Sequence, residues 1–175
     1  MMKFTVIAAL CLLLLCGCAA TETMETVGDE EVAAVSAPAL EGVFSLPAEA
    51  VQEAFSGDNG QRVYVCEDFV LTQQTLPGGD LSRTLQEVTG YSPDKLQVIK
   101  TQQQDVKRYS CVFVSVGEQG DQVGRCVVLD DGNYHYALTA MAPAQEAGTL
   151  SQGEWKTIFA SFRLMPEEEI VSSGS

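Results

Sequence analysis

The sequence predicts an α+β fold in which a mostly antiparallel sheet, arranged as a meander, is flanked by helices as in an α/β/α sandwich. Three observations favour this fold class. Four strand-like segments follow one another in the second half, and their short connections carry the Asp, Asn and Gly that hairpin turns require. Several of these segments are apolar at nearly every position, which is typical of strands covered on both faces. Two segments with helical spacing would supply the cover.

The predicted domain spans residues 42–165, and its first part contains short strands and one helix for which a hairpin is the alternative. Pro47 is suited to a first helical turn, and the residues after it have helical propensity. The dense turn signal at 56–60 would equally close a hairpin. The elements predicted before residue 76 are strands at 43–46, 62–66 and 69–75 and a helix at 48–55.

The middle of the chain carries a clearer helix signal. Asp80 is predicted to cap a helix whose apolar residues Leu81, Leu85 and Val88 share one face. Gly90 is predicted to end this helix in a left-handed conformation. The meander follows, with strands predicted at 96–101, 109–116, 123–129 and 134–141.

A second amphipathic helix closes the domain after a predicted loop at 142–150. Ser151 and Glu154 have the spacing of a capping box. The helix then places Trp155, Ile158, Phe159 and Phe162 on one apolar stripe. Packing of this stripe against the meander is the preferred interpretation.

The amino-terminal segment has the layout of an export signal. Lys3 precedes an apolar run at 4–15, and the run ends in Leu-Cys-Gly-Cys at 15–18. This ending resembles the lipobox of bacterial lipoproteins, which implies that 1–17 is a removed signal peptide and that Cys18 carries a diacylglyceryl group. An ordinary secretory signal is the alternative, with Ala19-Ala20 as a loose cleavage motif. The run is too short for a membrane span, which needs roughly 20 apolar residues.

The resemblance implies a location as well as a modification. The protein would be anchored in a cell membrane or outer membrane through Cys18, facing outside the cytoplasm. Residues 18–41 are acidic, lack aromatic residues and are predicted to be a flexible tether. Residues 166–175 are predicted to be a disordered acidic tail.

The charge of the chain excludes one class of partner. The formal net charge is −14, from 24 Asp and Glu residues against 10 Lys and Arg residues. A nucleic-acid-binding protein needs a basic patch that displaces counterions from phosphates, so no nucleic-acid partner is expected. Attraction to a cationic partner is one interpretation of the acidity, and simple solubility is the favoured one.

Cysteine and histidine are the residue types considered for a disulfide and for catalysis. Cys111 and Cys126 lie on neighbouring predicted strands joined by a short turn, so they could form a disulfide in an oxidising compartment. Burial as small apolar residues is the alternative for these two, as it is for Cys66. The only histidine, His135, lies between two tyrosines without visible triad partners. No catalytic residue, metal site or cofactor is therefore predicted.

The end of the chain resembles the PsbP/DcrB-like group of small exported domains. The residues that carry the resemblance are 134–139 (Tyr-His-Tyr-Ala-Leu-Thr), then Trp155 and 158–162 (Ile-Phe-Ala-Ser-Phe). The resemblance covers roughly residues 95–164. It implies an antiparallel sheet between helical layers and a binding or assembly role, and it brings no catalytic residues.

These observations lead to a functional expectation with two alternatives. The expected protein is a lipid-anchored, non-enzymatic domain that binds a protein or cell-envelope component outside the cytoplasm. The first alternative is a lipoprotein that holds a small ligand for a transporter. The second is a small exported hydrolase, which would need His135 and a carboxylate in a deep polar pocket.

Overall fold

The computed structural model describes residues 40–53, 60–116, 120–150 and 153–166. Its strands are β1 (Leu40–Val43), β2 (Val51–Gln52), β3 (Arg62–Val65), β4 (Val70–Pro77), β5 (Ile99–Gln103), β6 (Val106–Ser115), β7 (Gln122–Asp130), β8 (Tyr134–Pro143) and β9 (Arg163–Pro166). Its helices are α1 (Leu81–Thr89), a 3₁₀ turn (Pro93–Lys95), α2 (Ala147–Leu150) and α3 (Glu154–Ser161).

Seven of these strands form one antiparallel sheet in the order β2-β3-β4-β8-β7-β6-β5. The predicted meander is the run β5 to β8, in which each strand pairs with the next. The chain reaches it from β4 by way of α1, and β8 then returns to pair with β4. The other two strands, β1 and β9, pair with each other in a small antiparallel sheet.

The two faces of the large sheet carry separate apolar clusters. Along β7, Val127 and Leu129 belong to a cluster with Trp155 and Phe159 of α3. The alternate residue Val128 belongs to a second cluster that contains Leu85 of α1. Successive strand side chains point to opposite faces. We therefore name the two sides of the sheet the α3 face and the α1 face.

This architecture confirms the predicted fold class in its coarser form. The chain is α+β, and the antiparallel sheet dominates it. The near-continuous apolar character of β7 and β8 follows from the presence of a cluster on each face. Within the described ranges, no helix has the length and apolar character needed to cross a membrane.

Helix α1 begins and ends where its capping residues predict. The Asp80 carboxylate accepts hydrogen bonds from the backbone N–H groups of Ser82 and Arg83, at 2.9 and 3.3 Å. Gly90 has φ of 78°, a left-handed conformation that glycine adopts without steric cost, and its N–H donates to Gln86. These local interactions explain why this helix could be read from sequence.

The helix predicted at 48–55 is wrong over its described part. Val51 and Gln52 instead form β2, which pairs with Val65 and Tyr64 of β3. Long-range strand pairing outweighs the weak helix propensity of this segment. Residues 54 and 55 lie outside the described part of the chain.

The domain edges also differ from the prediction. The strand expected at 43–46 is β1, which starts at Leu40 and so takes two residues from the predicted tether. Pro166, the first residue of the predicted tail, belongs to β9 and pairs with Leu40. The predicted loop at 142–150 contains the end of β8 and the short helix α2. The differences at β1 and β9 arise because these strands pair with each other although they are distant in sequence.

Candidate functional site

The α3 face is only partly covered, and its uncovered part lies over β5 and β6. Ile99 pairs with Ser110, which pairs with Val127, so register places Ile99 on the α3 face. Val112 and Val114 follow Ser110 at alternate positions and share that face. Their exposed fractions are 67% for Ile99, 60% for Val112 and 48% for Val114. We call Ile99, Val112, Val114 and the adjacent Arg125 the open face.

The exposed aliphatic residues of the open face occupy neighbouring strand positions. Single exposed apolar residues need no explanation, whereas a contiguous group marks an interaction site or a ligand groove. Ile99 also lies on β5, the edge strand of the sheet. The open face therefore combines an apolar surface with a strand edge that no other described strand pairs with.

Two arginines lie at the boundary between the open face and α3. The Arg125 guanidinium lies 4.7 Å from the centroid of the Phe159 ring, in a cation–π contact. Arg108 donates hydrogen bonds to the carbonyl oxygens of Phe159 and Phe162, at 2.5 and 3.2 Å. These carbonyls belong to the carboxyl end of α3, where a positive charge is favourable.

Neither arginine forms an ion pair with a carboxylate of the described residues. Burial lowers the pKa of Arg108, and the nearby charge of Arg125 lowers it further. Burial also lowers the pKa of Arg125. The side chains nevertheless stay protonated at neutral pH because a guanidinium loses its proton only at far more alkaline pH. In a chain of net charge −14, this boundary is a local positive site.

A cavity of about 290 Å³ opens between this boundary and the edge strand. Its lining includes Ile99, Ser110, Val112, Val123, Arg125 and Trp155. Trp155 is 1% exposed, and its indole Nε1 has no hydrogen-bond acceptor among the described residues. A buried donor without an acceptor is costly, so this N–H favours a partner that brings an acceptor. A second cavity, of about 520 Å³, lies beside Arg108.

His135 lies on the other side of the sheet, beneath α1. Its side chain is 1% exposed, and Nδ1 lies 2.7 Å from Thr84 Oγ1. Its Nε2 lies 4.0 Å from Asp130 Oδ1, and Asp130 forms an ion pair of 3.3 Å with Lys107. Burial lowers the pKa of His135, against the opposing effect of Asp130 and Asp131. The cavities of 290, 520 and 980 Å³ in the described structure do not include His135 among their lining residues.

The acidic turn after β7 has a structural role. Asp130 accepts a hydrogen bond from the Gly132 N–H, and Asp131 accepts from the N–H groups of Asn133 and Tyr134. Asp131 also accepts from the Tyr136 hydroxyl at 3.0 Å. These are the side-chain-to-backbone bonds that stabilise turns. No cluster of three or more His, Cys, Asp or Glu side chains suited to a metal occurs within the described ranges.

Cys111 and Cys126 are directly opposite each other on β6 and β7, as the strand assignment predicts. Both are buried thiols in the structure, and the disulfide stays a prediction. The hydrogen bond shared with Cys111, together with complete burial, raises the pKa of Cys126. Burial raises the pKa of the third thiol, Cys66, to about 11. The predicted lipid site, Cys18, lies outside the described residues, as does Ser151 of the capping box.

Comparison with known proteins shows a distant likeness to a solved structure. No family model matches the chain, and no curated protein matches it. Among solved structures, the chain is similar to LpqN, a protein described as involved in cell envelope biogenesis of Mycobacterium tuberculosis. The identity is 14% and the TM-score is 0.47, over 75% of this chain and 87% of LpqN. The resemblances to lipoproteins and to the PsbP/DcrB-like group stay predictions.

The sequence did not single out the open face. The apolar stripe of α3 predicts a buried Trp155, which the structure confirms, whereas the cover on both faces predicted for apolar strands is wrong for Val112 and Val114 of β6. The two arginines have no motif spacing, since Arg108 and Arg125 meet α3 only through the fold. One signal was available, namely that Arg125 interrupts the apolar run of the strand predicted at 123–129.

Proposed function

We propose that this protein is a lipid-anchored module of the cell envelope that binds a protein or envelope component outside the cytoplasm, without catalysing a reaction. The signal layout and Leu-Cys-Gly-Cys ending support anchoring through Cys18. Acyl chains attached there would hold the domain firmly, because each buried methylene contributes about 0.8 kcal/mol. The open face is the surface through which the domain binds.

The observation that supports the proposal is a contrast: aliphatic residues of the open face are exposed, whereas the polar residues considered for catalysis are already hydrogen-bonded within the fold. Ile99 and Val112 are each more than half exposed at neighbouring positions of one face. By contrast, His135 is buried against Thr84, and the Asp130 and Asp131 carboxylates accept turn hydrogen bonds. A hydrolase base needs access to substrate, and a binding surface needs exposed apolar area.

Capture of a small ligand for a transporter is the second candidate, and the cavity next to Trp155 favours it. At about 290 Å³ it lies at the small end of ligand pockets, which range from roughly 300 to 1,000 Å³. Both candidates use the same side of the sheet. They differ in the size of what is bound.

Crosslinking in cells tests the proposal with a matched pair of variants. The full, tagged chain is crosslinked as wild type, as Val112→Asp on the open face, and as Gln86→Asp on the exposed surface of α1. Both variants add one negative charge at an exposed site. We expect one stoichiometric envelope partner, retained in Gln86→Asp and lost in Val112→Asp.

A second measurement addresses anchoring and catalysis. Cys18→Ser is expected to leave the membrane fraction and to lose its attached lipid. Recovery of no partner, together with a hydrolytic turnover that His135→Ala abolishes, would contradict the proposal. Continued membrane fractionation of lipid-bearing Cys18→Ser would contradict the anchor.

A further inference from the structure

Arg108 and Arg125, beside the open face, indicate that a ligand bound there would be negatively charged. Arg125 contacts the Phe159 ring, and Arg108 contacts carbonyl oxygens, but neither contacts a described carboxylate. A half-buried guanidinium without an anion is poorly solvated and gains from a charge-assisted hydrogen bond. The missing partner is an anion that can reach Arg125 from the cavity.

A second, independent feature of the cavity indicates a hydrogen-bond acceptor. The buried indole N–H of Trp155 has no acceptor within the described part of the chain. Trp155 and Arg125 both line the cavity of about 290 Å³. A carboxylate or phosphate oxygen is an acceptor for both donors, because each group presents several lone pairs. One headgroup could therefore satisfy the two groups.

The rest of the cavity and its surroundings are aliphatic. Ile99, Val112 and Val123 line the cavity beside Arg125. Val114 continues the exposed surface along β6, and Val116 after the strand is 78% exposed. From Val112 to Val116 the strand direction covers roughly 13 Å, at about 3.3 Å per residue. This surface matches a hydrocarbon chain that leads away from the anionic headgroup.

We propose that the open face binds an anionic aliphatic amphiphile, with its headgroup at Arg125 and Trp155 and its hydrocarbon chain over Val112 and Val114. The inference rests on the proposed function, because both use the open face as the binding surface. It specifies the envelope component as an acyl-chain anion. A peptide strand added at β5 fits less well, because Arg125 lies two strands inside that edge. Adjacent strands are about 4.8 Å apart, so an added strand would lie roughly 14 Å from β7.

Trp155 is the only tryptophan of the chain, which makes its fluorescence a specific reporter of the cavity. The lipid-anchored full chain, in phosphatidylcholine nanodiscs, is titrated with sodium decanoate, decyl phosphate and uncharged decanol. We expect a saturable change in Trp155 emission with an anion, and binding of decanol weaker by at least about tenfold. Comparison of decanoate with decyl phosphate shows whether the site prefers a carboxylate or a phosphate headgroup.

Variants assign the effect to the proposed contacts. Arg125→Gln is expected to weaken anion binding at least about tenfold, and the surface control Arg83→Gln on α1 to leave it unchanged. Because Arg125→Gln also removes a packing contact with Phe159, Val112→Asp provides a second test at an exposed position. It is expected to abolish binding by repelling the anion and interrupting the apolar surface.

Three results would overturn the inference. They are equal binding of decanol and decanoate, unchanged affinity in both Arg125→Gln and Val112→Asp, and no emission change with either anion. The crosslinking experiment separates this inference from the proposed function. A protein partner that is lost in Val112→Asp, without amphiphile binding, would leave the binding role intact and refute only the ligand class.

Discussion

The two faces of the large sheet differ in how completely they are covered. On the α1 face, Leu85 packs against Cys126 and Val128, and the polar side chains of Thr84 and His135 are engaged with each other. On the α3 face, the core around Phe159 is equally buried, but Ile99 of β5 and Val112 of β6 are exposed. The difference separates residues that stabilise the fold from residues available to bind.

The largest expected effect is on the free energy of unfolding, compared between a buried residue of the α1 face and an exposed residue of the open face. Leu85→Ala, at a side chain only 2% exposed, should lower the free energy of unfolding by about 2–5 kcal/mol, from lost burial and the cavity left behind. Val112→Ala, on the open face, should change it by no more than about 0.5 kcal/mol. Urea unfolding of the full chain measures both. A cost for Val112→Ala as large as that for Leu85→Ala would show that the open face is part of the core.

The hydrogen bond between helix and sheet gives the next largest effect. Thr84→Val keeps the shape of the side chain but leaves a buried ring nitrogen of His135 without its partner, which should cost about 1–3 kcal/mol. Thr84→Ser retains the hydroxyl and serves as the matched control. Chemical denaturation at pH 7.5 compares them. Equal stability of the Val and wild-type proteins would contradict a structural role for this bond.

The pH dependence of stability should arise partly on the α1 face. Burial lowers the pKa of His135 in the folded protein below its unfolded value of about 6.5. The unfolded state therefore binds a proton more readily as pH falls from 7 through 6.5 and below, so stability should decrease over that interval. Unfolding free energies measured from pH 7.5 to 5 for wild type and His135→Asn check this. The same loss in both proteins would exclude His135 as its source.

The smallest effects concern the thiols. The high pKa of Cys66, about 11, and its burial predict slow alkylation of the folded protein at pH 8. If the predicted disulfide forms after export, alkylation of the urea-unfolded protein with and without reductant should differ at Cys111 and Cys126 but not at Cys66, as measured by peptide mass spectrometry. Labelling that is the same with and without reductant at all three cysteines would refute the disulfide.

What the sequence predicts well is what local chemistry determines. Asp80 and Gly90 identify the ends of α1, and Asp130 with Gly132 identifies the turn before β8. Short apolar runs bounded by turn residues likewise predict the strands of the meander. These signals depend on neighbours within a few positions, so they can be read without knowing the fold.

Features that depend on distant partners could not be predicted in the same way. The pairing of β1 with β9 joins residues more than 110 positions apart, and β2 exists because it pairs with β3. The exposure of Val112 depends on how far α3 extends across the sheet. The contacts of Arg108 and Arg125 with α3 depend on the same arrangement, so the candidate site appears only in three dimensions.

Site-specific photocrosslinking tests the central claim most directly, because it reports contact at a chosen side chain. A photoreactive amino acid is placed at Val112 on the open face or at Gln86 on α1, in the full chain in its own cells. The proposed function predicts a defined adduct from position 112 and none from position 86. Adducts from position 86 alone, or from neither position, would contradict the assignment of the open face as the binding surface.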